Sequence, residues 1–181
     1  VYNVTLTVTS VYGCWDTYND SVQIYAKPVT AIQAPPACQG TPVQFTNISN
    51  SSGQVSYQWD LGNGFTSTDS SFSYTFGTPG FYDVTLVAVD SNNCSTTELA
   101  RLEIYPNPIP NFASTEACLN SSTQFTNQSY INSGSSISAY IWNFGDQSNS
   151  NQTNPNHTYT QVGTYNISLT AISNYGCRET T

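Results

Sequence analysis

One block of sequence occurs three times in this chain, about 80 residues apart, and no other feature restricts the fold as strongly. Val1-Tyr2-Asn3-Val4-Thr5-Leu6 returns as Phe81-Tyr82-Asp83-Val84-Thr85-Leu86 and as Thr164-Tyr165-Asn166-Ile167-Ser168-Leu169. Each copy leads to a cysteine: Cys14, Cys94 or Cys177. Ala37-Cys38 with Gln44-Phe45-Thr46-Asn47 is matched by Ala117-Cys118 with Gln124-Phe125-Thr126-Asn127, and Trp59-Asp60-Leu61-Gly62 by Trp142-Asn143-Phe144-Gly145. The chain therefore reads as a piece of a tandem array that begins and stops within a block. Residues 1–26 hold the last two strands of one unit, 27–106 a complete unit, and 107–181 a unit lacking its last strand.

The spacing between copies is 80 residues up to Phe125 and 83 from Trp142 onward, which puts three extra residues in the Ser/Gly/Asn-rich stretch between them. Loops accept such insertions and strands do not. Within a unit the hydrophobic pattern has period two: Tyr82, Val84, Leu86 and Ala88 alternate with Asp83, Thr85 and Val87. Turn residues fall between the runs, as at Pro35-Pro36, Gly62-Asn63-Gly64 and Pro79-Gly80. This predicts an all-β fold of antiparallel immunoglobulin-like sandwiches joined end to end by short proline linkers. The expected strands of the complete unit are A (29–34), B (42–48), C (55–60), C′ (65–68), E (71–76), F (81–90) and G (96–105). The core is expected around Trp59, Tyr82 and Phe45, and around Trp142, Tyr165 and Phe125, with Trp59 and Tyr82 in the places of an immunoglobulin-like core tryptophan and tyrosine corner. Pro106-Asn107-Pro108-Ile109-Pro110 is a short, stiff joint, because proline fixes φ.

Charged residues are only 8% of the chain, with 3 basic against 11 acidic, so the net charge of −8 repels nucleic acid. No apolar run is long enough to cross a membrane as a helix. The five cysteines lie at repeating positions without zinc-type spacing, which points to disulfides and an oxidising, extracellular setting.

The Trp-Asp-Leu-Gly-Asn-Gly and Trp-Asn-Phe-Gly-Asp segments, with Gly80-Phe81-Tyr82-Asp83-Val84 and Gly163-Thr164-Tyr165-Asn166-Ile167 downstream, resemble PKD domains. Together with the Cys-x-Gly opening and the Tyr-Pro-x-Pro joint, they look like the PKD arrays of Bacteroidota surface proteins, and among these the gliding-motility adhesins of the SprB type, exported by type 9 secretion. That resemblance implies a non-catalytic, adhesive cell-surface filament. Its partners would be neighbouring repeats and, through other domains, surface polysaccharide or substratum. An accessory carbohydrate- or protein-binding module of a secreted hydrolase is the alternative, with Trp15 and Phe65 as sugar-stacking candidates.

The acid of the family turn stands at Asp60 in one unit and Asp146 in the other, with Asn63 and Asn143 at the complementary places. A wandering acid favours Asx turns that bond backbone amides; the calcium alternative would use Asp60, Asn63 and Asp69. No other cofactor is expected. Two cysteine pairings stay open. Strand F separates the ends of a unit by on the order of 25–30 Å, whereas a disulfide needs Cα atoms within about 7 Å. This favours Cys38–Cys177 between units over Cys38–Cys94 and Cys118–Cys177 within them. His157 aligns with Tyr74, an aromatic strand position, and no paired acids or serine-histidine pattern suggest catalysis. Asn-x-Ser/Thr sequons such as Asn3, Asn47, Asn50 and Asn166 follow from composition, and Asp20-Ser21-Val22 resembles a Bacteroidota O-glycosylation motif at Ser21.

Overall fold

The computed structural model describes residues 1–49, 54–132 and 134–181, and every regular element among them is a strand. The Asn50 sequon lies outside the described residues. The first unit is a lone hairpin of β1 (Tyr2–Thr9) and β2 (Trp15–Val22). The second unit holds β3 (Ile32–Gln33), β4 (Ala37–Cys38), β5 (Pro42–Asn47), β6 (Val55–Asp60), β7 (Thr66–Ser67), β8 (Ser71–Thr75), β9 (Gly80–Asp90) and β10 (Ser95–Tyr105). The third holds β11 (Phe112–Ser114), β12 (Ser122–Asn127), β13 (Ile137–Asn143), β14 (Asn149–Ser150), β15 (Asn156–Thr158), β16 (Ser168–Ser173) and β17 (Arg178–Thr180).

In the second unit, β3-β5-β8 faces a sheet ordered β4-β10-β9-β6-β7. The strand expected at 29–34 is split. Pro35-Pro36 has no N–H to give to a ladder, so the chain leaves β5 after Gln33 and crosses to the opposite sheet. There Ala37–Cys38 pairs parallel with Ile104 and Tyr105 of β10. Between the sheets lie Val43, Phe45, Trp59, Leu61, Phe76, Val84, Leu86, Leu102 and Ile104, all buried. Each such side chain contributes about 1.5–3 kcal/mol over its exposed state.

The third unit repeats this plan with β11-β12-β15 against β14-β13-β16-β17. Its last strand is not wholly missing, as the sequence reading had it: Arg178–Thr180 pair antiparallel with β16. Phe125, Trp142, Phe144 and Leu169 form its core.

Trp59 and Trp142 are fully buried in equivalent places, each donating its indole N–H to a carbonyl ten residues on: Asp69 O and Gln152 O, both at 2.9 Å. Tyr82 and Tyr165, expected in the core, stand at its margin instead and are half-buried. Their hydroxyls donate to Thr78 O (2.9 Å) and Gln161 O (2.8 Å). A phenol buried outright would lose those carbonyls, so the ring packs on the core and its oxygen ties down the turn before the strand.

Candidate functional site: the joint between units

The second and third units meet at a joint built from two turns and the proline linker. On one side is the turn that follows β4, where Gly40 N donates to Phe76 O (3.0 Å) and Thr41 N to Cys38 O (3.0 Å). On the other is the turn between β16 and β17. There the Ser173 hydroxyl accepts from the amides of Tyr175 (3.3 Å) and Cys177 (3.1 Å), and Gly176 takes φ +82°, which a side chain resists. These turns present Cys38 and buried Cys177 to one another, bonded, with Cα atoms 5.6 Å apart and 139 residues of sequence between them. Neither within-unit pairing is formed; Cys94 and Cys118 are free thiols, as is Cys14.

Around this bond the two surfaces fit closely. The rings of Tyr105 and Tyr175 stack at 3.8 Å between centroids and 6° between planes. Burial, the Glu103 carboxylate and Tyr175 push the Tyr105 hydroxyl above its usual range, so it stays protonated. From the proline linker, Asn107 Nδ2 donates to Gln39 O (3.2 Å) and to Glu179 Oε1 (2.8 Å), touching both units at once. Pro108 is fully buried, and Ile109 is bridged to Tyr130 by two backbone hydrogen bonds of 2.7 and 3.1 Å. The tyrosine stack and the Asn107 bridge escaped the sequence reading. Their only trace there is a tyrosine in both the Tyr-Pro joint and the Tyr-Gly-Cys turn.

The Asx positions are occupied by backbone amides. Asp60 Oδ1 accepts from Gly62 N (2.8 Å), Asn63 Oδ1 from Phe65 N (3.0 Å), Asn143 Oδ1 from Gly145 N (2.9 Å) and Asp146 Oδ1 from Ser148 N (3.0 Å). Asp69 bonds the Ser67 hydroxyl at 3.3 Å. Among the described residues, no three acidic, histidine or cysteine side chains converge on one point. Gly62 and Gly145 take positive φ where the turn lies on the next strand; a Cβ would come within 2.8 Å of Asp83 O and 2.6 Å of Asn166 O.

The wandering acid has a reason that only the structure gives. Tyr74 accepts from Asn63 Nδ2 at 3.1 Å; in the third unit His157 stands at that place and bonds Asp146 at 2.7 Å, stacked flat on Phe144. Ser148 bonds both Asp146 and His157. Serine, histidine and aspartate thus meet, but both oxygens address the same imidazole nitrogen, Nε2, so no proton can be relayed across the ring as in a nucleophilic triad. Phe65, a candidate for sugar stacking, is half-buried against Phe72 and Tyr74. Trp15 is exposed on the lone hairpin, and so is Ser21.

A family model described as "PKD domain" matches residues 25–104 and 105–181. Among curated proteins, collagenase ColA of Bacillus cereus is 34% identical over 58 residues, 32% of this chain and 6% of that protein. Pre-pro-metalloprotease PrtV of Vibrio cholerae is 36% identical over 75 residues, 40% of this chain and 8% of that protein. This chain therefore spans less than a tenth of either relative. The solved PKD1 domain of the V. cholerae PrtV metalloprotease is 32% identical, covering 44% of this chain and 98% of that one, with a TM-score of 0.39. The PKD1 domain of Vibrio anguillarum Epp is 29% identical, covering 44% and 96%, with a TM-score of 0.37.

Proposed function

Because this chain belongs to the PKD domain family, we propose that it is a non-catalytic structural segment of an extracellular adhesive filament, one that holds a binding tip away from the cell. The single observation that carries the reading is the joint. Independent modules on a string need no covalent bond, tyrosine stack and proline linker between them, whereas a rod does. The disulfide suits an oxidising extracellular compartment. The sparse charge leaves a polar surface of Ser, Thr and Asn, and the net charge of −8 disfavours nucleic acid as a partner. No helix of the described residues is long and apolar enough to cross a membrane. The finer reading is a gliding-motility adhesin of the Bacteroidota exported by type 9 secretion, and its support is the sequence resemblance of the joint and turn motifs.

A second reading is favoured by the relatives, a collagenase and a metalloprotease: an accessory module beside a secreted hydrolase. Gold labelling of native cells with an antibody to this segment separates the two. Label recurring at regular intervals along surface fibres supports the filament. Label found only on a released hydrolase carrying one to three such modules overturns it in favour of the accessory module.

A further inference from the structure

Both halves of the joint occur a second time in this chain, unjoined and already folded. The turn after Ala117-Cys118 repeats the turn after Ala37-Cys38: Asn120 N donates to Tyr159 O (3.1 Å) and Ser121 N to Cys118 O (2.9 Å), with Asn120 at φ +63° where Gly40 has +77°. The hairpin turn Ser10-Val11-Tyr12-Gly13-Cys14 likewise repeats Ser173-Asn174-Tyr175-Gly176-Cys177. The Ser10 hydroxyl accepts from the amides of Tyr12 (3.3 Å) and Cys14 (3.2 Å), Ser10 N donates to Cys14 O (2.8 Å), and Gly13 takes φ +79° against +82° at Gly176. Cys14 and Cys118 are both exposed free thiols. Beside Cys118 opens a cleft of about 390 Å³ whose rim carries Leu119 and Val162, 47% and 85% exposed. Val162 stands where Pro79 borders the formed joint.

We infer that this end of the third unit is a docking site for the Tyr12-Gly13-Cys14 turn of a second copy of the chain, closed by a Cys118–Cys14 disulfide. The template is the Cys38–Cys177 joint, whose backbone both halves reproduce, and the inference rests on the array reading above. The choice of turn is fixed by what each one carries: Tyr12-Gly13-Cys14 has the tyrosine and glycine of Tyr175-Gly176-Cys177, whose Tyr175 stacks on Tyr105 in the formed joint. Cys94 sits in a turn of the same kind, with Asp90 Oδ1 accepting from the amides of Asn92 (2.8 Å) and Cys94 (2.9 Å). Its sequence there is Asn92-Asn93-Cys94, without the tyrosine and glycine, and its thiol is half-buried. The Cys14 thiol is exposed. Closure needs an oxidant of the disulfide class. The Cys118 thiolate attacks oxidised glutathione and releases one glutathione thiolate; the Cys14 thiolate then displaces the second, so two thiols are oxidised as one glutathione disulfide is reduced.

The test uses the whole chain with Cys38–Cys177 formed, incubated with oxidised glutathione and mapped as non-reduced peptides. The expected result is a head-to-tail ladder in which Cys14–Cys118 is the dominant link. Cys118→Ser or Cys14→Ser should reduce the ladder at least 10-fold, and Cys94→Ser should leave it unchanged. Val162→Glu should slow linkage about 10-fold without changing the rate at which a small aromatic disulfide labels Cys118, which separates docking from bare thiol reactivity. Links through Cys94, Cys14–Cys14 or Cys118–Cys118 as abundant as Cys14–Cys118, or glutathione adducts without links, overturn the inference. Each of those results leaves the array reading standing so long as Cys38–Cys177 forms; loss of Cys38–Cys177 itself removes the array reading.

Discussion

The second and third units share a plan and differ in how much of their last strand they contain. In the second, β10 runs eleven residues beside β9, which also runs eleven, and brings Leu102 and Ile104 into the core. In the third, β17 is three residues long, and β16 shrinks to six. The residues lost from β16 are those whose counterparts pair only with β10: Asp60 and Thr85 mark the limit of the β6 pairing, and beyond it Gly80–Val84 lean on β10 alone. Residues 164–167 hold no ladder, and Ile167 is half-buried where Val84 is fully buried. The first half of this middle strand is thus held by one neighbour alone, and its ladder is lost where that neighbour is short.

The largest test of this contrast cuts the bond between the units. Cys38→Ser with Cys177→Ser should lower the summed stability of the two units by about 5 kcal/mol on the chain-entropy account, measured by guanidinium unfolding without reductant. An unchanged midpoint would mean that the joint's other contacts hold the units by themselves. Next comes the pair of turn glycines. Gly62→Ala should cost about 3 kcal/mol, because Asp83 is locked in the β9–β10 ladder and cannot retreat from the new methyl. Gly145→Ala should cost about half as much despite its shorter contact, since Asn166 stands outside any strand. The reverse order would show that residues 164–167 are as rigid as their counterparts.

Amide hydrogen exchange reads the same difference without mutation: residues 164–167 should exchange at least about 30-fold faster than 81–84. The smallest effect is chemical. Asp146 is pulled down to about 2, chiefly by the Ser148 hydroxyl, against some opposing burial and with help from His157. Because its folded value lies below its unfolded one, the stabilisation is whole above about pH 4 and fades as pH falls toward 2. The loss should be no more than about 1 kcal/mol, the range of an exposed ion pair. Asp146→Asn with His157→Tyr, which installs the second unit's pair, should remove that dependence from acid titrations of the third unit's unfolding.

Sequence alone carried the repeat, the sandwich and the two tryptophans, because burial on a two-residue period leaves a legible pattern. It missed what depends on contacts far apart in the chain. Pro35-Pro36 was visible as a break, but not that the chain changes sheets there and runs parallel to β10. The match of His157 to Tyr74 and the different places of Asp60 and Asp146 are legible in the sequence, yet only the structure joins them: Asn63 bonds Tyr74 in one unit where Asp146 bonds His157 in the other. The tyrosine-corner place of Tyr82 is legible in the sequence, and its hydroxyl bonds the Thr78 carbonyl upstream as that place requires; the half-burial of the ring is not legible there.

The Cys38–Cys177 bond also decides where a pull on the chain can go. Force applied to the two ends runs from Val1 to Cys38, crosses the sulfurs, and leaves through Cys177 to Thr181. The loop of sequence between the two cysteines, 139 residues from one to the other, carries none of it. Stretched out, that loop would add roughly 450–500 Å of slack. With the bond intact, both sandwiches could come apart and the chain would lengthen only through its first 38 residues and last few. Between Cys38 and Cys177 the reach of the chain is set by a covalent bond rather than by the folding of the two domains it closes off.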